Sequence, residues 1–452
     1  MKLTRSLLAC LCLSAAPTIH AQSSFAPPPW TKSAVLYEVN VRQYTPEGTF
    51  AAFDRHLPRL DSLGVDILWL MPVQPIGALH RKGPLGSYYS IRDYDAINPE
   101  YGNAADFAAL VDDAHRRGKK VVLDWVANHT AFDHAWITQH PDWYVHKPDG
   151  TIMNARDNEN RETDWTDVAE LNYDNAAMRS AMIEAMRWWL TSMHIDGFRC
   201  DVAGGVPMDF WIQARRALST TRRDLFWLAE AESPGTYAAF DATYGWELHH
   251  LLNEIAQGKK PTSSLDDYFA RDAKAYPRSA LRMYFTSNHD ENSWNGTEFE
   301  RMGRNHQAAF VLAATVTHSL PLIYTGQEAS LNKKLRFFER DTVDWKGPSL
   351  AGFYRAMTAL KHTQPALATG AWGGDQKTLS TDGGERVYAY TRTRDANTVV
   401  VALNFGDAPQ NVHYHGLPVQ GKYTDWFTKS SATLGAEGTL TIPAHGWRVL
   451  VR

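Results

Sequence analysis

The run KKVVLDWVANH at 119–129 is apolar and β-branched through Val121, Val122 and Leu123, then turns polar at Asp124, Asn128 and His129. It reads as a strand buried on both faces, with reactive side chains at its C-terminal end. Three other runs repeat the design. GFRCD at 197–201 leads into Arg199 and Asp201, LFWLAE at 225–230 ends in Glu230, and MYFTS at 283–287 runs into Asn288, His289 and Asp290. Further apolar runs lie at 35–41, 66–73 and 320–324, with a weaker one near 240–244. Amphipathic helical patterns at 104–117, 178–193 and 210–219 separate several of them. Strands alternating with helices predict a parallel sheet, and eight such units fit a closed (β/α)₈ TIM barrel better than an open doubly wound sheet. No GxGxxG follows the first strand, which weighs against a dinucleotide site.

Two segments break the alternation. The stretch 131–168 is rich in Asp, Asn, Trp and Pro, and so long a connection after the third strand is expected to be a small functional insertion. Beyond residue 370 the pattern changes to strands alone, at 386–392, 398–405, 439–442 and 447–451, which predicts a C-terminal antiparallel β-sandwich over 370–452. Ahead of the barrel unit at 34–369, residues 1–21 have the layout of a cleavable signal: Lys2 and Arg5, then an apolar run too short to span a bilayer. A proline-rich linker is expected at 22–33. The expected location is therefore secreted or periplasmic, with no membrane association after cleavage.

The chain has 452 residues, Lys+Arg 46 against Asp+Glu 50, and a formal net charge of -4. No basic surplus exists to neutralise a phosphate backbone, so nucleic acid is excluded as a first guess. Trp 16, Tyr 19 and Phe 18 supply many flat rings, which fill cores or line grooves for sugars. Cys10 and Cys12 leave with the signal, and Cys200 cannot form an internal disulfide; its apolar neighbours make it a buried core residue.

In a barrel, the C-terminal ends of all strands open on one face. Asp124, Asp201, Glu230 and Asp290, with His129, Arg199 and His289, would then share one cavity. Arg199 and Asp201 are two apart on one strand and point the same way, so the cation is expected to keep Asp201 ionised. Glu230 follows an apolar run that should raise its pKa and suit a proton donor. One charged and one neutral carboxyl is the equipment of a retaining glycosidase. Any one of these acids could instead be a cap or a salt bridge. A metal centre built from Asp124, His129, His289 and Asp290 is a second reading, disfavoured because the first strand holds no histidine.

Taken together, these segments resemble the α-amylase family. Asp124-Trp125-Val126-Ala127-Asn128-His129, Gly197-Phe198-Arg199-Cys200-Asp201, the Glu230 strand end and Phe285 to Asp290 are similar to its four signatures. Gly64 to Pro72, Glu170-Leu171-Asn172 and Pro321 to Glu328 add to the likeness. The resemblance implies Asp201 as nucleophile, Glu230 as acid/base and Asp290 as transition-state stabiliser. Tyr89, Asp124, His129, Arg199 and His289 are implied as sugar contacts, and 131–168 as the family's domain B. It implies an exported hydrolase of α-1,4-glucans such as starch or maltodextrins. An α-glucosidase, cyclomaltodextrinase, transglycosylase or inactive sugar-binding protein are the alternatives. No cofactor is needed for the chemistry. A structural Ca²⁺ is known in the family, but Val202-Ala203-Gly204-Gly205 stands where its usual Lys-His pair would follow the nucleophile. The acid segment also offers Glu232 on the same strand side. Oligomeric state is left open.

Overall fold

The computed structural model describes residues 25–452. The expected signal at 1–21 and the first linker residues, 22–24, lie outside the described residues. Eight parallel strands form a closed barrel: β1 Leu36–Val39, β2 Ile67–Leu70, β3 Lys120–Val126, β4 Gly197–Asp201, β5 Phe226–Ala229, β6 Ala242–Tyr244, β7 Leu281–Tyr284 and β8 Ser319–Tyr324. They pair in chain order, and β8 closes onto β1. The expected strand at 283–287 begins and ends earlier, as β7. Its last partner in β8 is Pro321, which has no N–H to give, and the ladder stops at Tyr284. Asn288 therefore follows the strand in a short loop, and His289 and Asp290 open the helical turn beyond it.

Alternation along each strand sorts the side chains. Leu36, Ile67, Val122, Phe226, Ala242 and Leu281 form an apolar cluster inside the barrel. Tyr37, Leu68, Leu123, Trp125, Phe198, Trp227 and Cys200 belong to a second cluster that includes the surrounding helices. Cys200 is buried there as a free thiol, as its neighbours predicted. Gly197 keeps the barrel narrow: a Cβ at this position would lie 2.0 Å from the Phe226 carbonyl oxygen. The helices between strands include Ala104–Arg116, Ala176–Ser192 and Met208–Ser219. The first opens with a reciprocal Asn103–Asp106 capping box. Within the expected linker, Pro29–Thr31 forms a 3₁₀ turn, and the Trp30 ring meets Phe226 edge-on with centroids 5.8 Å apart.

After β3 the chain makes a small antiparallel ribbon, His129–Ala131 with Val168–Glu170, which brackets the insertion and ties it to the barrel rim. At the C-terminus a six-stranded and a three-stranded antiparallel sheet share a core that includes Val387, Ala389, Val400, Val412, Tyr414 and Leu440. The alternate residues Tyr388, Tyr390, Val399 and Val401 face the other way and join the barrel's outer core. Arg392 Nη1 donates to the Thr315 carbonyl at 2.7 Å across this junction. Trp426 also lies at the junction, with its indole N–H bonded to the Ala356 carbonyl.

Candidate active site

One cavity of about 700 Å³ opens at the C-terminal end of the barrel, with Tyr89, His129, Asp201, Glu230, His289 and Asp290 in its lining. The side chains of Asp201, Glu230 and Asp290 are 9%, 13% and 34% exposed, a gradient from floor to rim. Strand period two delivers Arg199 and Asp201 from β4, and Glu230 follows directly after β5. Glu232, the competing acid, is paired with Arg282 and accepts from the Glu247 N–H at 2.8 Å, and it does not line the cavity.

Arg199 organises the floor. Its Nη1 donates to Asp124 Oδ1 at 2.8 Å and to Asp201 Oδ1 at 3.0 Å, and its Nε donates to the Tyr244 hydroxyl at 3.1 Å. Its Nη2 lies 3.0 Å from Glu230 Oε2, an ion-pair distance without hydrogen-bond alignment. Arg199 and Asp124 are themselves fully buried and absent from the lining. Arg199 lies one inward position below Asp201, level with Asp124 on β3, and both support the acids from beneath.

The Arg199 guanidinium faces three carboxyls. Burial, reinforced by Glu230, pushes Asp201 well above the usual carboxylate range while Arg199 opposes the shift. Burial likewise raises Glu230, again against Arg199. Arg199 thus favours the charged form of Asp201, the direction expected from their shared strand face, while burial and the neighbouring acid work against it. Glu230 is fixed by the Val202 N–H at 2.8 Å. Val202 supplies it from φ 43°, a left-handed conformation that a β-branched residue seldom adopts, immediately after Asp201.

The second network runs through His289. Its Nδ1 lies 2.5 Å from Glu38 Oε1, and its Nε2 lies 2.8 Å from the Tyr89 hydroxyl and 3.4 Å from Asp290 Oδ2. Burial works against the charged imidazole, but Asp290 and Glu38 outweigh it and hold the pKa up at about 9. His129 has no such support, and burial lowers it to about 4, so it is neutral. Tyr89 donates to Asp124 Oδ2 at 3.1 Å and stacks on His289 with centroids 5.5 Å apart. Glu38, Trp69 and Tyr244 were not anticipated. Trp69 Nε1 donates to Asp124 Oδ2 at 3.1 Å, completing the carboxylate's partners. Glu38 had a readable signal: it is a lone acid inside the apolar first strand, in phase with the inward Leu36.

Near the loop after Asp201, Asn128 donates its amide to the Arg156 carbonyl at 2.9 Å, and Asn158 Oδ1 accepts from Gly204 N–H at 2.8 Å. Among the described residues, the cluster of three or more metal-type donors is His413, His415 and Glu437, on the C-terminal sheets.

The family model described as alpha amylase, catalytic domain, matches residues 37–358, and the alpha amylase C-terminal all-beta domain matches 379–451. The chain belongs to the alpha-amylase family. An alpha-amylase of Haloarcula japonica is 30% identical over 94% of the chain; the chain spans 64% of that protein's length. Among solved structures, a maltogenic alpha-amylase from Thermotoga neapolitana superposes with a TM-score of 0.84 at 27% identity, covering 93% of this chain and 98% of that one. An alpha-amylase from Lactobacillus plantarum gives 0.82 at 30% identity, covering 93% and 99%. The family's barrel and C-terminal all-β domain are thus both present in this chain, in the order the sequence predicts.

Proposed function

We propose that the chain is an exported retaining hydrolase of α-1,4-glucans, acting on starch or maltodextrins. Family membership supports the substrate class. The observation that carries the mechanism is the pairing of Asp201 and Glu230 on two nitrogens of one guanidinium, each at 3.0 Å, at the base of one cavity. That bridge suits the close-set carboxyls, about 5–5.5 Å apart, of a double displacement.

In the first step the Asp201 carboxylate attacks the anomeric carbon. The glycosidic C–O bond breaks as Glu230 gives its proton to the leaving oxygen. Asp290, backed by His289, bonds the sugar hydroxyls and stabilises the oxocarbenium-like transition state. In the second step Glu230 takes a proton from water, the resulting hydroxide adds to the anomeric carbon, and Asp201 leaves as carboxylate with Glu230 protonated again. His129, neutral and lining the cavity, is a hydrogen-bond partner for the same sugar.

NMR of the first-formed anomer from maltohexaose tests this reading. Release of the α-anomer is expected, and release of the β-anomer would reject the double displacement. A product profile on soluble starch fixes the specificity: mixed short oligosaccharides are expected, whereas glucose alone would make the enzyme an α-glucosidase.

A further inference from the structure

Trp294 is 52% exposed, and among the described residues only Leu79 is another large apolar side chain this open to water. It is nevertheless held firmly. It belongs to a π-helical turn, Glu291–Asn295, that follows Asp290 directly, and such turns recur at functional positions. Glu291 is anchored to His249 Nε2 at 3.1 Å. Asn292 donates to the Lys333 carbonyl at 3.0 Å and accepts from the Leu335 N–H at 2.9 Å, tying the turn to the loop that carries Phe337.

The ring therefore projects into the cavity mouth from a pinned backbone, and it continues a row of rings. Phe337 lies nearly parallel to Tyr89, at 12° with centroids 6.3 Å apart, and Trp294 leans on Phe337 at 5.3 Å. All three line the cavity. A water-exposed indole on a rigid support, with its N–H bonded to no group among the described residues, offers an apolar face and a donor. A pyranose ring presents the complementary pair, an axial C–H face and hydroxyls. The row begins at Tyr89, whose hydroxyl meets His289, and the turn that carries Trp294 starts directly after Asp290.

We propose that Trp294, backed by Phe337, is a stacking platform for glucosyl units beyond the one that reacts. It sets the chain length the enzyme prefers. This rests on the α-glucan reading above. The platform touches no reacting atom, so its binding energy is the same in ground and transition states and shows in KM rather than kcat.

The test compares wild type, Trp294→Ala and Trp294→Phe on maltotriose and maltohexaose. Trp294→Ala should lower the maltohexaose-to-maltotriose ratio of kcat/KM about tenfold, through KM, and Trp294→Phe should restore most of it. Equal losses on both substrates, or none, would overturn the platform while leaving the hydrolase reading intact. If the wild type cleaves no α-glucan, that reading fails separately. Calorimetry of maltohexaose binding then decides the platform: about tenfold weaker binding by Trp294→Ala supports it, and equal binding or no binding by either protein rejects it.

Discussion

In the lower half of the barrel interior, Leu36, Ile67, Val122, Phe226 and Leu281 form an apolar cluster. Higher in the barrel, Asp124, Asp201 and Glu230 crowd around the Arg199 guanidinium, and Glu38 pairs with the His289 imidazole. The two halves share a backbone and an alternation, yet the free energy runs in opposite directions. Each fully buried large apolar side chain below contributes about 1.5–3 kcal/mol. Above, the charges lose their hydration, and their mutual attraction recovers that only in part. Stability is therefore concentrated at one end of the barrel and reactivity at the other.

This contrast can be broken most sharply at the acids. Asp201→Asn should lower kcat on starch by about 10⁴ or more, and Glu230→Gln by about 10³. Melting temperature should stay close to wild type in both, because Arg199 keeps Asp124 and the other acid as partners. Glu232→Gln should stay within about threefold of wild type, since that side chain is spent on Arg282 and Glu247. A kinetic comparison in which Glu232, not Glu230, proved indispensable would reverse the assignment.

The lower half should respond the other way. Leu36→Ala, in the apolar cluster, should cost about 2–5 kcal/mol of unfolding free energy in a denaturant titration. Activity per folded molecule should stay within about threefold of wild type.

A smaller effect separates the two halves by pH. The folded-state pKa of His289 is raised to about 9 from an ordinary 6.5. Its stabilising contribution is complete below the ordinary value and is lost as pH rises through about 9. Glu38→Gln removes one of the two acids that raise the imidazole, so the loss should move to lower pH. Thermal melts between pH 6 and 10 should show the wild-type decline on the order of 2 kcal/mol and a smaller, earlier one in the variant. Identical profiles would mean that Glu38 does not hold up the His289 imidazole.

Much of the site was readable because strand alternation is a local rule. Arg199 and Asp201, two apart, had to share a face, and Glu230 at the end of an apolar run had to reach the rim. The same rule, applied to Glu38, would have disclosed the partner of His289; its distance in sequence from the other acids hid it. Residues on loops were less accessible. Nothing in the spacing of Trp294 and Phe337 announces that their rings meet, because no periodicity links a turn after β7 to a loop after β8.

Sequence periodicity was enough to give the closed ring of strands, the insertion after the third and the all-β tail, since each of these follows from nearest-neighbour patterns of apolar and polar residues. It was also enough to nominate the acids. How three of them gather on one guanidinium, and which of them lies fully buried beneath the others, depended on folding. Electrostatic energies are set by distances and burial in space, and residues such as Glu38 and His289 acquire theirs only when the barrel closes.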